Sequence, residues 1–347
     1  MSEVLLTFLP QLTTITFLGF IGFMLAMGLT PVYTFFAYRY KFWKVQRTED
    51  SSGGQLTVFT KLHAAKFRRN IPTMAGVIFV FVIASITLIA NLDRRQTWLP
   101  LAALLGGAAV GLLDDIINLR GLGGGVKGLR APIKFLMITL VGLALAWFFY
   151  YKLGYHDIHV PFYGQFELGW LIIPIFVFVV VAAGNAVNIS DGLDGLAGGL
   201  SVTAFTAFGI IALLQGNFGI AGFCFTVVGA LLSYVWFNIF PARFFMGDVG
   251  SFALGTALGV VAMMTDTLFL LPIIGVVFVV EAGSSLLQIL SKKYLHRRIF
   301  ISAPIHHHFE ALGWPETKVT MRFWIIAQVA AFLGLIVAIA GGYLLIR

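Results

Sequence analysis

The sequence predicts an all-α integral membrane protein with about ten transmembrane helices, both termini outside and a polar site at the cytoplasmic face. Three observations lead there. The 347 residues are 59% hydrophobic and only 11% charged, with a mean hydropathy of +0.93, whereas soluble domains carry about 25% charged residues. The apolar residues form long continuous runs, each near the roughly 20 residues that a helix needs to cross a hydrocarbon core, without the alternation of barrel strands. Acidic and amide side chains gather where several of these runs end.

The runs fall at 13–38, 71–91, 97–117, 132–151, 169–188, 197–215, 218–237, 250–270, 272–294 and 323–346. No soluble insert or long linker separates them, so residues 1–347 read as a single polytopic membrane domain. The first run is expected to be retained rather than cleaved as a signal peptide. Glu3 precedes it, its cations follow it, and it is too long.

Orientation follows from the basic residues. With the N-terminus outside, the loops at 39–70, 118–131, 189–196, 238–249 and 295–322, with the adjoining helix ends, hold 19 of the 23 lysines and arginines. Only Arg94, Arg95, Lys152 and Arg347 fall on the other face, which the positive-inside rule makes the outer one. The net charge of +8 then faces anionic headgroups of membrane lipid or a phosphorylated substrate. Nucleic acid is not an expected partner, because the basic loops are short and abut the spans. The single cysteine, Cys224, lies within a span and excludes both a disulfide framework and a thiolate metal site.

In chain order, Arg39, Lys41, Lys44 and Arg47 read as anchors behind the first span. Lys61, His63, Lys66, Arg68 and Arg69 precede Pro-Thr-Met-Ala-Gly76. Pro72 suits the first turn of span two, and a helix N-terminus beside cations makes a phosphate site. Anchoring accounts for these charges equally well. Span three ends in Gly111-Leu-Leu-Asp-Asp-Ile-Ile-Asn118. Two adjacent carboxylates there face the negative end of the helix dipole and repel each other unless a cation compensates. A hard divalent ion such as Mg²⁺ would relieve them, since it prefers oxygen ligands. The glycine-rich loop that follows carries Arg120, Lys127 and Arg130 but lacks the spacing of a P-loop.

The outer loop at 152–168 carries His156 and His159, read as surface residues. Span five ends in Asn185-Ala-Val-Asn188-Ile-Ser-Asp191-Gly-Leu-Asp194-Gly. A carboxylate at the bilayer centre costs about 2.5–3.5 kcal/mol on insertion scales, so acids beside spans are functional candidates. A polar turn broken by Gly192 and Gly195 is the competing explanation. The sequon Asn188-Ile-Ser190 has no glycosylation meaning on a cytoplasmic face. Asp248, in Phe-Met-Gly-Asp-Val-Gly-Ser251, is expected as a helix N-cap or a ligand. Phe244 and Phe245 beside it would stack on a base or pack against lipid. Glu281, in the middle of span nine, is expected to pair with Ser284, Ser285, Gln288 or helix backbone. The last loop carries Pro-Ile-His-His-His-Phe-Glu310. Its three histidines, placed on a loop, would bond phosphate or assist proton transfer, and zinc lacks suitable company there.

These clusters map to one membrane face, an arrangement that suits phosphoryl chemistry, in which positioning and charge neutralisation dominate. Solute transport competes less well. Transporter sites sit near the midplane within inverted repeats, whereas these acids lie at one face without a visible repeat.

Taken in order, Pro-Thr-Met-Ala-Gly76, Asp-Asp115, Asn-Ile-Ser-Asp-Gly-Leu-Asp-Gly-Leu-Ala197, Phe-Met-Gly-Asp-Val-Gly-Ser251 and Pro-Ile-His-His-His-Phe-Glu310 resemble the phospho-N-acetylmuramoyl-pentapeptide transferases. This is the MraY family of the polyprenyl-phosphate N-acetylhexosamine-1-phosphate transferase superfamily. The resemblance runs from about His63 to Trp324, and that family also has ten spans and outside termini. The acidic motifs are shared with relatives that transfer N-acetylglucosamine phosphate. The histidine motif, followed by Gly313-Trp314, favours the muramoyl branch.

The resemblance implies transfer of phospho-MurNAc-pentapeptide from UDP-MurNAc-pentapeptide to undecaprenyl phosphate, giving lipid I and UMP, with Mg²⁺ required, at a bacterial plasma membrane. By motif position, Asp248 is similar to the family's metal-binding aspartate. Asp114 and Asp115 resemble its catalytic pair, with Asp114 the base that deprotonates the lipid phosphate. His307 and His308 resemble its essential histidines. Asn185, Asn188, Asp191, Asp194, Asn238, Phe245, Thr73 and His306 resemble substrate-binding positions. Lys66, Lys127 and Lys134 resemble phosphate-binding lysines. A homodimer is what the family leads one to expect. Three departures stand out: Ala75 replaces a usual glycine, Asn118 a usual lysine, and the glycine-rich loop is about two residues longer.

Overall fold

The computed structural model describes residues 2–43, 70–121 and 128–343. Lys66 and Lys127 lie outside the described residues, as do Lys61, His63, Arg68 and Arg69. The chain forms α1 (Ser2–Arg39), α2 (Gly76–Ala90), α3 (Trp98–Leu119), α4 (Ala131–Tyr151), a hairpin of β1 (Asp157–Val160) and β2 (Gly164–Glu167), α5 (Ile172–Ser190), α6 (Leu196–Leu214) and α7 (Phe218–Asn238). Then come α8 (Gly247–Met264), the short α9 (Leu271–Ile274), α10 (Val276–Leu290), α11 (Ile305–Ala311) and α12 (Glu316–Ala340). Among the described residues, eight helices are long and apolar enough to cross a membrane: α1, α3 to α8 and α12. The chain is a multi-pass membrane protein.

The architecture centres on α8. Every residue of this helix is buried except Asp248, as expected for a helix that is apolar on all sides. One flank packs against α3, where the Thr256 hydroxyl donates to the Ala103 carbonyl at 2.8 Å. The close approach depends on Gly111, at which a Cβ would lie 2.1 Å from the Asp248 carbonyl oxygen. The other flank packs against α5. Small residues let helix backbones meet in this way within a membrane. Outer helices α1, α4 and α12 show rows of exposed apolar side chains, among them Phe17, Phe20, Phe135 and Phe332.

Two expected spans differ from single long helices. The run at 71–91 becomes helical only at Gly76, and α2, at 15 residues, covers about 22 Å at 1.5 Å per residue. Residues 71–75 pair instead with the segment before α8. Phe245 N–H donates to Pro72 O at 2.8 Å, Ala75 N–H to Phe245 O at 3.0 Å, and Gly76 N–H to Met246 O at 2.9 Å. Pro72 therefore precedes the helix rather than opening it. The run at 272–294 is broken at Gly275 into α9 and α10. The run at 250–270 stops at Met264, where the hydroxyls of Thr265 and Thr267 donate to the Val261 and Ala262 carbonyls. The last helix begins at Glu316, seven residues earlier than the run at 323–346.

The loop at 152–168 is held by specific contacts. Asp266 accepts the His159 backbone N–H at 2.8 Å and the Gln165 side chain at 2.7 Å. The His159 ring bonds Gly341 O at 2.8 Å and meets the Tyr343 ring at 4.3 Å. His159 is a buried stitch between hairpin and C-terminus, not the surface residue expected.

Candidate active site

Asp114 and Asp115 lie in the last turns of α3, and Asp248 in the first turn of α8. The α3–α8 crossing at Gly111 carries the two ends together, and the three carboxylates offer oxygens all within 4.8 Å of one another. Asp114 and Asp115 are buried, and Asp248 is partly open. Asp248 is not the N-cap, a position taken by Met246.

Among the described residues, three groups hold the acids against their own repulsion. Lys134, in the first turn of α4, places its Nζ 2.6 Å from Asp248 Oδ2 and 3.0 Å from Asp114 Oδ2. Leu129 N–H donates to Asp114 Oδ1 at 2.6 Å. Val249 N–H donates to Asp115 Oδ2 at 3.0 Å. The α3 dipole disfavours these charges, while the α8 N-terminus, with its orphan N–H groups, favours them. Gly247, at φ +74°, sits against Asp115, where a Cβ would come within 2.5 Å of Oδ2. Only glycine suits both the conformation and the contact.

Among the described residues, the three carboxylates and one ammonium leave two formal negative charges in an all-oxygen donor set. That chemistry fits a hard divalent cation of the Mg²⁺ class better than zinc.

The segment around 70–76 adds polar groups beside the acids. Tyr33 donates its hydroxyl to the Thr73 carbonyl. Thr73 Oγ1 is buried and has no hydrogen-bond partner among the described residues, and the same holds for Asn118 Oδ1. Asn118 therefore puts a neutral, buried amide on α3 where the resemblance led one to expect a lysine. Among the described residues, the ammonium touching the acids comes from Lys134.

The turn after α5 divides into two kinds of residue. Asn188 donates to Ser251 Oγ at 2.8 Å and so ties α5 to α8, and Asn185 donates to the Val181 carbonyl of its own helix. Asp191, at the helix end, is half-buried. Asp194 and Asn238 are engaged in loop stitching. Asp194 Oδ2 accepts Ala242 N–H at 3.0 Å, and its own N–H donates to Glu316 at 2.6 Å. Asn238 accepts Gly195 N–H at 2.9 Å and donates to Phe244 O at 2.8 Å. Phe244 is buried among Tyr33, Tyr234 and Phe237, with centroids at 5.6–6.0 Å, so it neither stacks on a base nor faces lipid. Phe245 beside it is half-buried.

The three histidines lie on the short helix α11 rather than on an irregular loop. Their partners differ. His306 Nδ1 is 2.7 Å from Glu281 Oε2, and His307 Nδ1 is 2.7 Å from Glu310 Oε2. His308 Nδ1 accepts the Ile301 N–H at 3.2 Å. Sequence reasoning missed the Glu281–His306 pair, the contacts of Lys134 with two acids, and the role of Ser251. A mid-span carboxylate was visible at Glu281, but its partner lies 25 residues further along the chain.

Residues 97–266, which span α3 to the end of α8, match the family described as Glycosyl transferase family 4. Fold, acids and family match together define a membrane-embedded phosphoglycosyl transferase. The chain is 41% identical over 285 residues to the phospho-N-acetylmuramoyl-pentapeptide-transferase of Chloroflexus aggregans (strain MD-66 / DSM 9485), covering 78% of each chain. It is 39% identical over 315 residues to the enzyme so named from Syntrophus aciditrophicus (strain SB), covering 84% of this chain and 87% of the relative. The Chloroflexus aurantiacus protein of that name (strain ATCC 29366 / DSM 635 / J-10-fl) is also 41% identical over 285 residues. The chain belongs to the phospho-N-acetylmuramoyl-pentapeptide-transferase family, the MraY family.

Proposed function

We propose that this protein transfers phospho-MurNAc-pentapeptide from UDP-MurNAc-pentapeptide to undecaprenyl phosphate, giving lipid I and UMP in peptidoglycan synthesis. The observation that carries the reading is the convergence of Asp114, Asp115 and Asp248 around Lys134. It works as one membrane domain of ten passes in the bacterial plasma membrane, with both termini outside and the acids at the cytoplasmic face. The positive-inside distribution supports that orientation. Helix ends at the membrane surface suit a lipid whose phosphate lies at the interface while a soluble nucleotide-sugar arrives from the water side.

In the reaction an oxygen of the acceptor phosphate bonds to the sugar-linked phosphorus of the donor, and the bond from that phosphorus to UMP breaks. Asp114 takes the proton of the acceptor phosphate, and Lys134 offsets charge on the phosphates as it does between the acids. Asp248, with Asp114 and Asp115 in reach, would hold Mg²⁺. That ion supplies neutralisation of diphosphate charge. The half-buried Asp191, Asn188 and Phe245 face the donor nucleotide, and His307 and His308 its phosphates. Asp194 and Asn238 shape the turn that carries Asp191.

The test is UMP release by purified protein with Mg²⁺ and undecaprenyl phosphate, comparing UDP-MurNAc-pentapeptide with UDP-N-acetylglucosamine. Turnover of the muramoyl donor alone is expected. Turnover of the other donor alone would move the protein to the sister branch, and UMP from neither would sink the reading.

A further inference from the structure

Three polar residues of α10 form one buried stripe: Glu281, Ser284 and Gln288, continued by Ser291 just beyond the helix. Their spacing of three, four and three residues places them on one helix face. Three of the four tie down the segment that leads to the histidines. Ser291 Oγ donates to Arg297 O at 2.8 Å, and Gln288 accepts the N–H groups of Ile299 and Phe300 at 3.1 and 3.0 Å. Ser284 Oγ accepts Ile305 N–H at 2.9 Å. Glu281 differs from these. It is fully buried, and its Oε2 meets a side chain, His306 Nδ1, at 2.7 Å. The contact fixes the rotation of the imidazole ring and directs its other nitrogen, Nε2, away from Glu281.

The Nε2 edge faces the turn after α5. A Cβ at Gly192 would lie 2.3 Å from His306 Nε2 and 2.7 Å from Cε1. Gly192 directly follows Asp191 in the turn that the proposed function assigns to the donor nucleotide. The His306 ring is thus clamped between Glu281 and the donor turn, with the His307 ring 4.1 Å away.

We infer that Glu281 is a positioning residue for donor recognition: it fixes the ring of His306, which in turn sets the Asp191–Gly192 turn. The inference rests on the functional reading above. Glu281 is remote in sequence from the acidic motifs, and it acts through His306 without touching the reacting atoms. Carboxylate–imidazole pairs orient rings in this way wherever one nitrogen must be presented to a defined partner.

The experiment measures KM for donor and acceptor separately, with melting temperature in detergent, for the parent protein, Glu281→Gln, His306→Gln and the double variant. Glu281→Gln is isosteric, so folding is preserved. Donor KM is expected to rise about tenfold with acceptor KM within about twofold of the parent. Adding Glu281→Gln to His306→Gln is expected to change donor KM by less than about twofold, the non-additivity of residues acting in series. A purely structural role would lower kcat and melting temperature together, or move both KM values alike, and either result overturns the inference. So does an unchanged donor KM in Glu281→Gln. A parent protein that releases no UMP overturns the functional reading and this inference with it, whereas an active parent with an unaltered variant overturns the inference alone.

Discussion

The carboxylate of Asp115 accepts the backbone N–H of Val249 at 3.0 Å, so a side chain at the end of α3 closes the start of α8. The contact places a catalytic candidate on the positive end of the central helix. It also satisfies one of the N–H groups that every helix N-terminus leaves without an intrahelical partner.

Replacing Asp115 by Asn keeps an acceptor for Val249, while replacing it by Ala leaves that buried N–H unpaired. An unmade buried hydrogen bond costs about 1–3 kcal/mol. Asp115→Ala is therefore expected to lower unfolding stability in detergent by that amount, and Asp115→Asn by less than half of it. Both should lose at least about 100-fold in turnover, because both remove the charge. Equal melting temperatures for the two variants would show that the Val249 contact is not structural.

Lys134 bridges Asp114 and Asp248 at 3.0 and 2.6 Å, which puts its ammonium in competition with any divalent cation there. Lys134→Met would leave three carboxylates with less compensation. The Mg²⁺ concentration giving half-maximal thermal stabilisation should fall about tenfold, worth about 1.4 kcal/mol, while UMP release drops sharply. A midpoint that moves upward would mean that the lysine assists cation binding instead.

Two glycines on different helices make an internal control. At Gly111 a Cβ would meet the Asp248 backbone at 2.1 Å, whereas at Gly283 nothing lies within 4 Å. Gly111→Ala must push α3 away from α8, a form of overpacking that costs about 1–3 kcal/mol. It also moves Asp114 and Asp115 relative to Asp248, so activity should fall with yield. Gly283→Ala in α10 should be neutral or stabilise by about 0.5–1 kcal/mol. Comparable turnover and melting temperature for the two would contradict the close crossing.

Asn238 spends both ends of its amide on backbone, accepting from Gly195 and donating to Phe244. Asn238→Ala should lower the melting temperature, since two buried backbone groups lose partners at about 1–3 kcal/mol each. If Asn238 instead contacts the nucleotide, the variant would melt like the parent and show only a raised donor KM. Unfolding and kinetics on one preparation separate the two.

Much of this protein was legible in its residues, though unevenly. Long apolar runs announce membrane helices because a chain in lipid must satisfy its backbone groups internally, and eight helices of that length are present among the described residues. The acids at 114, 115 and 248 could be singled out because unpaired charge beside a span is costly. Other readings went astray where a distant partner overrode local chemistry. Pro72 reads as a helix opener, but residues 71–75 pair with the segment before α8. His159 reads as a polar loop residue, but Gly341 and Tyr343 enclose it.

By itself the sequence determined the membrane class and the short list of acids, because hydropathy and charge cost are local properties of each segment. Only the tertiary structure decided how those residues are used. Whether Asp194 and Asn238 face a ligand or stitch a loop depends on which backbone groups lie opposite them. Lys134 joins the acids, Glu281 takes His306, and Asp115 closes α8 because α3, α4, α8, α10 and α11 meet at particular distances. A hydrogen bond needs its partner within about 3 Å. No spacing along the chain reveals that between residues 25, 114 or 134 positions apart.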